Sequence, residues 1–102
     1  MVELKIRAVV FQEEGWWVAQ CLEHDIAAQA RTRDDLLYEL ERILVGHFFI
    51  SAEKGRIPFV NLPRAPRRYW VMYEQAEPIP SEALHFRQGA FQVLPDVELR
   101  AA

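Results

Sequence analysis

Apolar and polar residues alternate from the first positions of the chain. Val2, Leu4, Ile6, Ala8 and Val10 are interleaved with Glu3, Lys5 and Arg7. A period of two predicts a strand with one buried face. Glu13-Glu14-Gly15 follows, and Gly15 can take the positive φ that a short hairpin loop often needs. Trp16 to Glu23 is rich in aromatic and β-branched residues, as a second strand should be. The pattern predicts an antiparallel hairpin of residues 2–12 with 16–23. Ile26, Ala28 and Ala30 then alternate with Ala27, Gln29 and Arg31, a third strand. Its small alanines predict close packing by a bulky neighbour.

That neighbour is the helix starting after Thr32. The Thr32 hydroxyl can accept from the backbone N–H of Asp35, and Asp35 stands where a capping-box acid would. Asp34 and Asp35 also suit the positive end of the helix dipole. At 100° per residue, Leu36, Leu40, Ile43, Leu44, His47 and Ile50 share one face, with Leu37 and Phe48 at its margin. Gly55 ends the helix near Lys54. Tyr38, Val45 and Phe49 form a second apolar stripe on the opposite side, to be covered by the C-terminal half or by another subunit.

Residues 56–66 hold Pro58, Pro63 and Pro66 and read as an irregular connector. Pro66 is placed to open a short helix over 66–76. Tyr69, Trp70, Met72, Tyr73 and Ala76 then make one face, with Arg67, Glu74 and Gln75 opposite. Pro78 and Pro80 stop it. Val97 to Ala101 reads as a last strand, expected at a sheet edge because Pro95 precedes it. The expected fold is α+β: a three-stranded antiparallel sheet, one long helix packed on it, then a short helix and a C-terminal strand. The chain is read as one domain over 1–102, with a core at 1–55 and an extension at 56–102.

Composition narrows the function classes. Apolar residues make up 51%, enough for a folded core and no apolar run long enough to cross a bilayer. One cysteine, Cys21, excludes an internal disulfide framework. With no signal-peptide pattern at the start, a cytoplasmic location is expected. Net charge is −3, but residues 1–55 hold six Lys/Arg against ten Asp/Glu, and 56–102 hold six against five. That balance lacks the basic excess of a typical nucleic-acid binder, and an acidic first half suits a basic protein partner.

The order of these elements resembles the HicB-like family. The matching residues are Glu14-Gly15, Trp17-Val18-Ala19, Cys21-Leu22-Glu23, Asp25-Ile26-Ala27-Ala28-Gln29-Ala30, Thr32 with Leu36, Leu37 and Leu40, and then Pro58-Phe59, Ala65-Pro66 and Tyr69-Trp70. The resemblance implies a partial ribonuclease H-like fold. It also implies a protein-binding role, since HicB antitoxins neutralise a small basic RNA-cleaving toxin. Many family members carry a C-terminal DNA-binding half, and residues 56–102 lack the amphipathic helix pair for one, so no DNA partner is expected. Ala30 stands where the family often has glycine.

A catalytic set is not evident. Two-metal nuclease chemistry needs converging carboxylates, and the middle of the first strand has none. Cys21 and His24 have CxxH spacing, but residues three apart on a strand face opposite sides. His47 lies within the apolar stripe, and Ser51, Ser81, Thr32 and Cys21 are the only candidate nucleophiles, with Thr32 assigned to capping. The expected function is therefore a non-catalytic binding module that uses no cofactor and no metal. Its interface candidates are Trp16, Trp17, Tyr38, Val45 and Phe49. Arg64, Arg67 and Arg68 beside Tyr69-Trp70 are a weaker candidate for nucleic-acid contact. A homo-oligomer is expected. The alternatives are a small metal-dependent hydrolase or nuclease using Glu23, His24 or Asp25, and a homo-oligomeric structural protein.

Overall fold

Ala8-Val9-Val10-Phe11 is apolar on both sides of a strand, so this strand needs cover on both faces. The computed structural model supplies it. The structure describes residues 2–57, 59–79 and 93–102, with side chains from Lys5 onward and, in the last strand, from Asp96. β1 (Val2–Glu13), β2 (Trp16–Cys21), β3 (Ala27–Ala30), α1 (Arg33–Glu53), α2 (Arg67–Glu74), β4 (Glu77–Ile79) and β5 (Val93–Ala101) follow in chain order. The strands form one five-stranded mixed sheet in the order β3-β2-β1-β5-β4.

This corrects the expected three-stranded antiparallel sheet. β5 runs parallel to β1 along nine residue pairs, from Val2↔Val93 to Val10↔Ala101. β4 closes the far side, pairing antiparallel through Glu77↔Ala101, Pro78↔Arg100 and Ile79↔Leu99. The edge position expected for the last strand is therefore wrong: β5 lies between β1 and β4. Pro95 is tolerated because the β4 pairing spans only Leu99–Ala101, so it stands outside the doubly paired stretch. Pro78, expected to end the short helix, lies beyond its last residue, Glu74, in a strand bonded on one side only.

The hairpin forms with Glu13↔Trp16 as its last pair, leaving Glu14-Gly15 as the loop. Both loop residues have positive φ, 50° and 81°, the signature of a twist-matched two-residue turn. α1 starts as expected, with Thr32 Oγ1 accepting from the Asp35 N–H at 3.1 Å. It ends in a Schellman motif: Arg56 N–H donates to Ser51 O, and Gly55 N–H to Ala52 O, with Gly55 at φ 63°.

The two faces of β1 go to different helices. Ile6, Ala8 and Val10 join Ala19, Cys21, Ala28 and Ala30 under α1. Val9 and Leu22, with Phe11, pack under Tyr69, Trp70, Met72, Tyr73 and Ala76 of the α2 segment, the face expected for it. The buried ridge of α1 is Leu36, Leu40, Leu44 and Phe48, spaced four apart. This rotates the expected stripe: Phe48 is buried, whereas Ile50 is 53% exposed. The reason is the connector, because Phe59 packs 5.6 Å from Phe48 and draws that side of the helix inward. Val2, Leu4 and Pro58, and residues 80–92 of the expected C-terminal cover, lie outside the described side chains.

Leu40→Ala removes a fully buried side chain and should cost about 2–5 kcal/mol. Thr32→Ala removes only the cap bond and should cost about 1 kcal/mol. Urea unfolding with an unchanged m-value checks both, and equal costs would contradict this ranking.

Candidate interaction surfaces

Glu23, Asp25 and His24 leave β2 in a tight bend, and each has a different occupation. Glu23 Oε1 accepts from the Arg7 backbone N–H at 2.8 Å, and its Oε2 pairs with Arg7 Nε. Both oxygens are engaged by one residue, so this acid fastens the bend to β1. Asp25 Oδ1 accepts from Gln20 Nε2 at 2.8 Å. The same amide donates to the carbonyl of Cys21 at 3.1 Å. Gln20, a buried polar residue within the expected second strand, is thus a staple across the bend.

The connector clasps this bend from outside. Asp25 N–H donates to Pro63 O at 2.7 Å, and Ala65 N–H to Leu22 O at 2.9 Å. Phe59 is its anchor, with its ring 4.9 Å from His24, 5.1 Å from His47 and 5.6 Å from Phe48. It sits at φ 64°, costly for a bulky residue, so the packing holds a conformation that the backbone alone would avoid. His24 Nδ1 is buried here without a hydrogen-bond partner. Burial lowers the His24 pKa below its usual value, against the opposing pull of Glu23 and the Phe59 backbone. Burial, and then Glu23, push the Cys21 thiol up to about 12. Among the described residues no group of three or more His, Cys, Asp or Glu is placed to hold a metal ion.

The interface candidates separate. Trp17 packs at the margin of the α1-side core. Trp16 lies on the other face under Arg31, whose guanidinium is 3.6 Å from the ring centroid and whose Nη1 donates to Gly15 O. Both indoles are half-buried, so neither stands out as a bare anchor. Tyr38 and Phe49 do: they are 66% and 56% exposed on the outward side of α1, with Val45 half-buried between them. Beside them, at the C-terminal end of α1, Ile50, Ile57 and Val60 are also exposed. They border a shallow groove of about 180 Å³ together with His47, Lys54 and Phe59. Ile57 and Val60 belong to the connector, where no periodicity applies, whereas Ile50 was expected on the buried face of α1.

The opposite face of the sheet carries a layer of arginines on aromatic rings. Arg64 lies 4.2 Å and Arg7 4.9 Å from the Trp70 ring. Arg68 lies 4.6 Å from Tyr69, which stacks on Phe11, and Arg100 lies 4.4 Å from Tyr73. Arg67 is exposed beside them. The structure therefore adds Arg7 and Arg100 to the trio Arg64, Arg67 and Arg68 read from the sequence. No helix of the described residues is long and apolar enough to cross a membrane. No family model, curated protein or solved structure matches the chain.

Two measurements test this assignment of buried groups. Native Cys21 should resist a thiol-specific reagent and react once denaturant is added, and prompt native reaction would contradict its burial. The unfolded imidazole titrates near 6.5 and the folded His24 below it. Between those values the unfolded chain holds the extra proton, so stability rises with pH there. This contribution is complete above 6.5 and is lost as pH falls through the folded value. His24→Gln should flatten that limb of a melting-temperature curve, and an unchanged slope would refute the assignment.

Proposed function

We propose that the protein is a non-catalytic binding module that holds a basic protein partner on the outward face of α1. The observation that carries this reading is the pair Tyr38 and Phe49, two large side chains left mostly in solvent on one helix face. Exposed aromatic side chains are the residues best suited to anchor a protein contact. Asp34, Asp35, Glu39, Glu41 and Glu53 occur along the same helix. Arg42 is the cation among them, and it is held by Glu39 at 2.9 Å. Arg33 and Lys54 stand at the two ends. An aromatic stripe set among carboxylates fits a surface rich in Lys and Arg.

The resemblance to HicB-like proteins supplies a candidate of that chemistry, a small basic RNA-cleaving toxin. In this reading neutralisation is steric and electrostatic, and no bond is made or broken. A second copy of the chain is the competing occupant. A two-fold axis through this face would set the carboxylates of one copy against those of the other, which favours the basic partner.

Affinity capture from the native host, wild type beside a Tyr38→Ala/Phe49→Ala variant, tests the proposal. Wild type should retain a basic protein in stoichiometric amount, released by moderate salt, and the variant should lose it. Equal retention by both proteins, or concentration-dependent self-association of wild type that the variant abolishes, would overturn it.

A further inference from the structure

The arginine layer over α2 has no part in the function proposed above, and covering the rings accounts for Arg7 and Arg100 more fully than for the arginines gathered at the start of the helix. Arg67 and Arg68 occupy the first turn of α2, which contains no acidic residue. The N-terminal end of a helix carries partial positive charge, so acids belong there and arginines are unfavourable. Pro66 precedes them and gives no side-chain cap, so no capping side chain satisfies the first backbone N–H groups. Arg64 adds a third cation just upstream. None of the three forms an ion pair with a described carboxylate. Residues 56–76 hold four arginines against one acid, Glu74, although the whole chain is at −3. Three of the four, Arg64, Arg67 and Arg68, gather at the start of α2, where Glu13 is within electrostatic reach of Arg68, whereas Arg56 lines the groove at the end of α1.

The way these arginines are held is equally specific. Arg64 and Arg68 lie over Trp70 and Tyr69, at 4.2 and 4.6 Å from the ring centroids. A guanidinium resting on a ring keeps N–H groups at its edge and its outer plane for a further flat group; Arg68 spends one of its N–H groups on Tyr69 Oη, at 2.8 Å. Phosphate oxygens suit the edge, and unpaired bases suit the plane. A duplex would meet the guanidinium edges with its phosphates but, with its bases paired and stacked, would leave the outer planes unused.

We propose that this face, built from Arg64, Arg67 and Arg68 over Tyr69 and Trp70, binds single-stranded nucleic acid. Phosphates lie along the α2 N-terminus and Arg67, and bases stack on the ring-backed guanidiniums of Arg64 and Arg68. An acidic peptide would meet the edges but would leave the planes unused. The site is separate from the outward face of α1, so each can fail without the other.

Fluorescence anisotropy with labelled oligouridylate and oligothymidylate, the matching duplex, and a polyglutamate peptide tests this. Single strands should bind, with affinity falling steeply as salt rises and with tighter binding than duplex or peptide. The relative affinity of the two single strands tells an RNA site from a DNA site, and either outcome supports the proposal. Arg64→Ala/Arg67→Ala/Arg68→Ala should weaken binding by roughly tenfold or more. Arg33→Ala/Arg42→Ala/Lys54→Ala removes the same charge from α1 and should change it by less than about twofold if the site is local. All six positions are exposed, and circular dichroism verifies that both variants are folded. Lack of binding at low salt, preference for duplex or for polyglutamate, or equal losses in the two variants would each refute the proposal.

Discussion

The backbone of β1 is bonded on both sides, antiparallel to β2 and parallel to β5. A strand so placed must bury both faces, and the rest of the architecture answers that requirement. Ile6, Ala8 and Val10 need α1, and Val9 and Phe11 need α2. A parallel neighbour cannot be reached by a tight turn, so the chain passes through both helices and the connector before β5 is laid down. The helices, the proline-rich connector and the late strand are thus consequences of one central strand, more than independent units set beside a hairpin.

The helices meet their faces by different means. α1 covers its side with an aliphatic ridge at four-residue spacing, and the alanines of β3 let it approach closely. α2 is short, and it covers its side with large rings instead. Rings at a half-buried layer need something over them, and here arginines from β1, β5 and the connector supply part of it. The bend after β2 links the layers: Glu23 holds Arg7 on the α2 side while His24 meets Phe59 on the α1 side.

Local features of the sequence were read correctly. The hairpin, the Thr32 cap, the Gly55 stop and the aromatic face of the short helix each depend on residues a few positions apart. Those features announce themselves through spacing and turn chemistry. The sheet order did not, because the pairing of Val2 with Val93 involves residues at opposite ends of the chain and leaves no periodic trace. One cue was present in Ala8-Val9-Val10-Phe11, a run without a polar face, which marks an inner strand; reading it as simple alternation led to the smaller sheet. The rotation of the α1 stripe was equally hidden, since it depends on where Phe59 lands. Of the surfaces, Tyr38, Phe49 and the arginine trio were visible as residues, while Arg7, Arg100 and Gln20 acquired partners only through the fold.

The ring-and-guanidinium layer has a consequence for how the molecule comes apart. Urea must loosen it in the general way, by solvating backbone and side chains. Guanidinium chloride carries the same planar cation that already occupies those seats on Trp70, Tyr69 and Tyr73. It is therefore a chemical substitute for the arginines as well as a denaturant, and the two agents need not dismantle this side of the sheet in the same order.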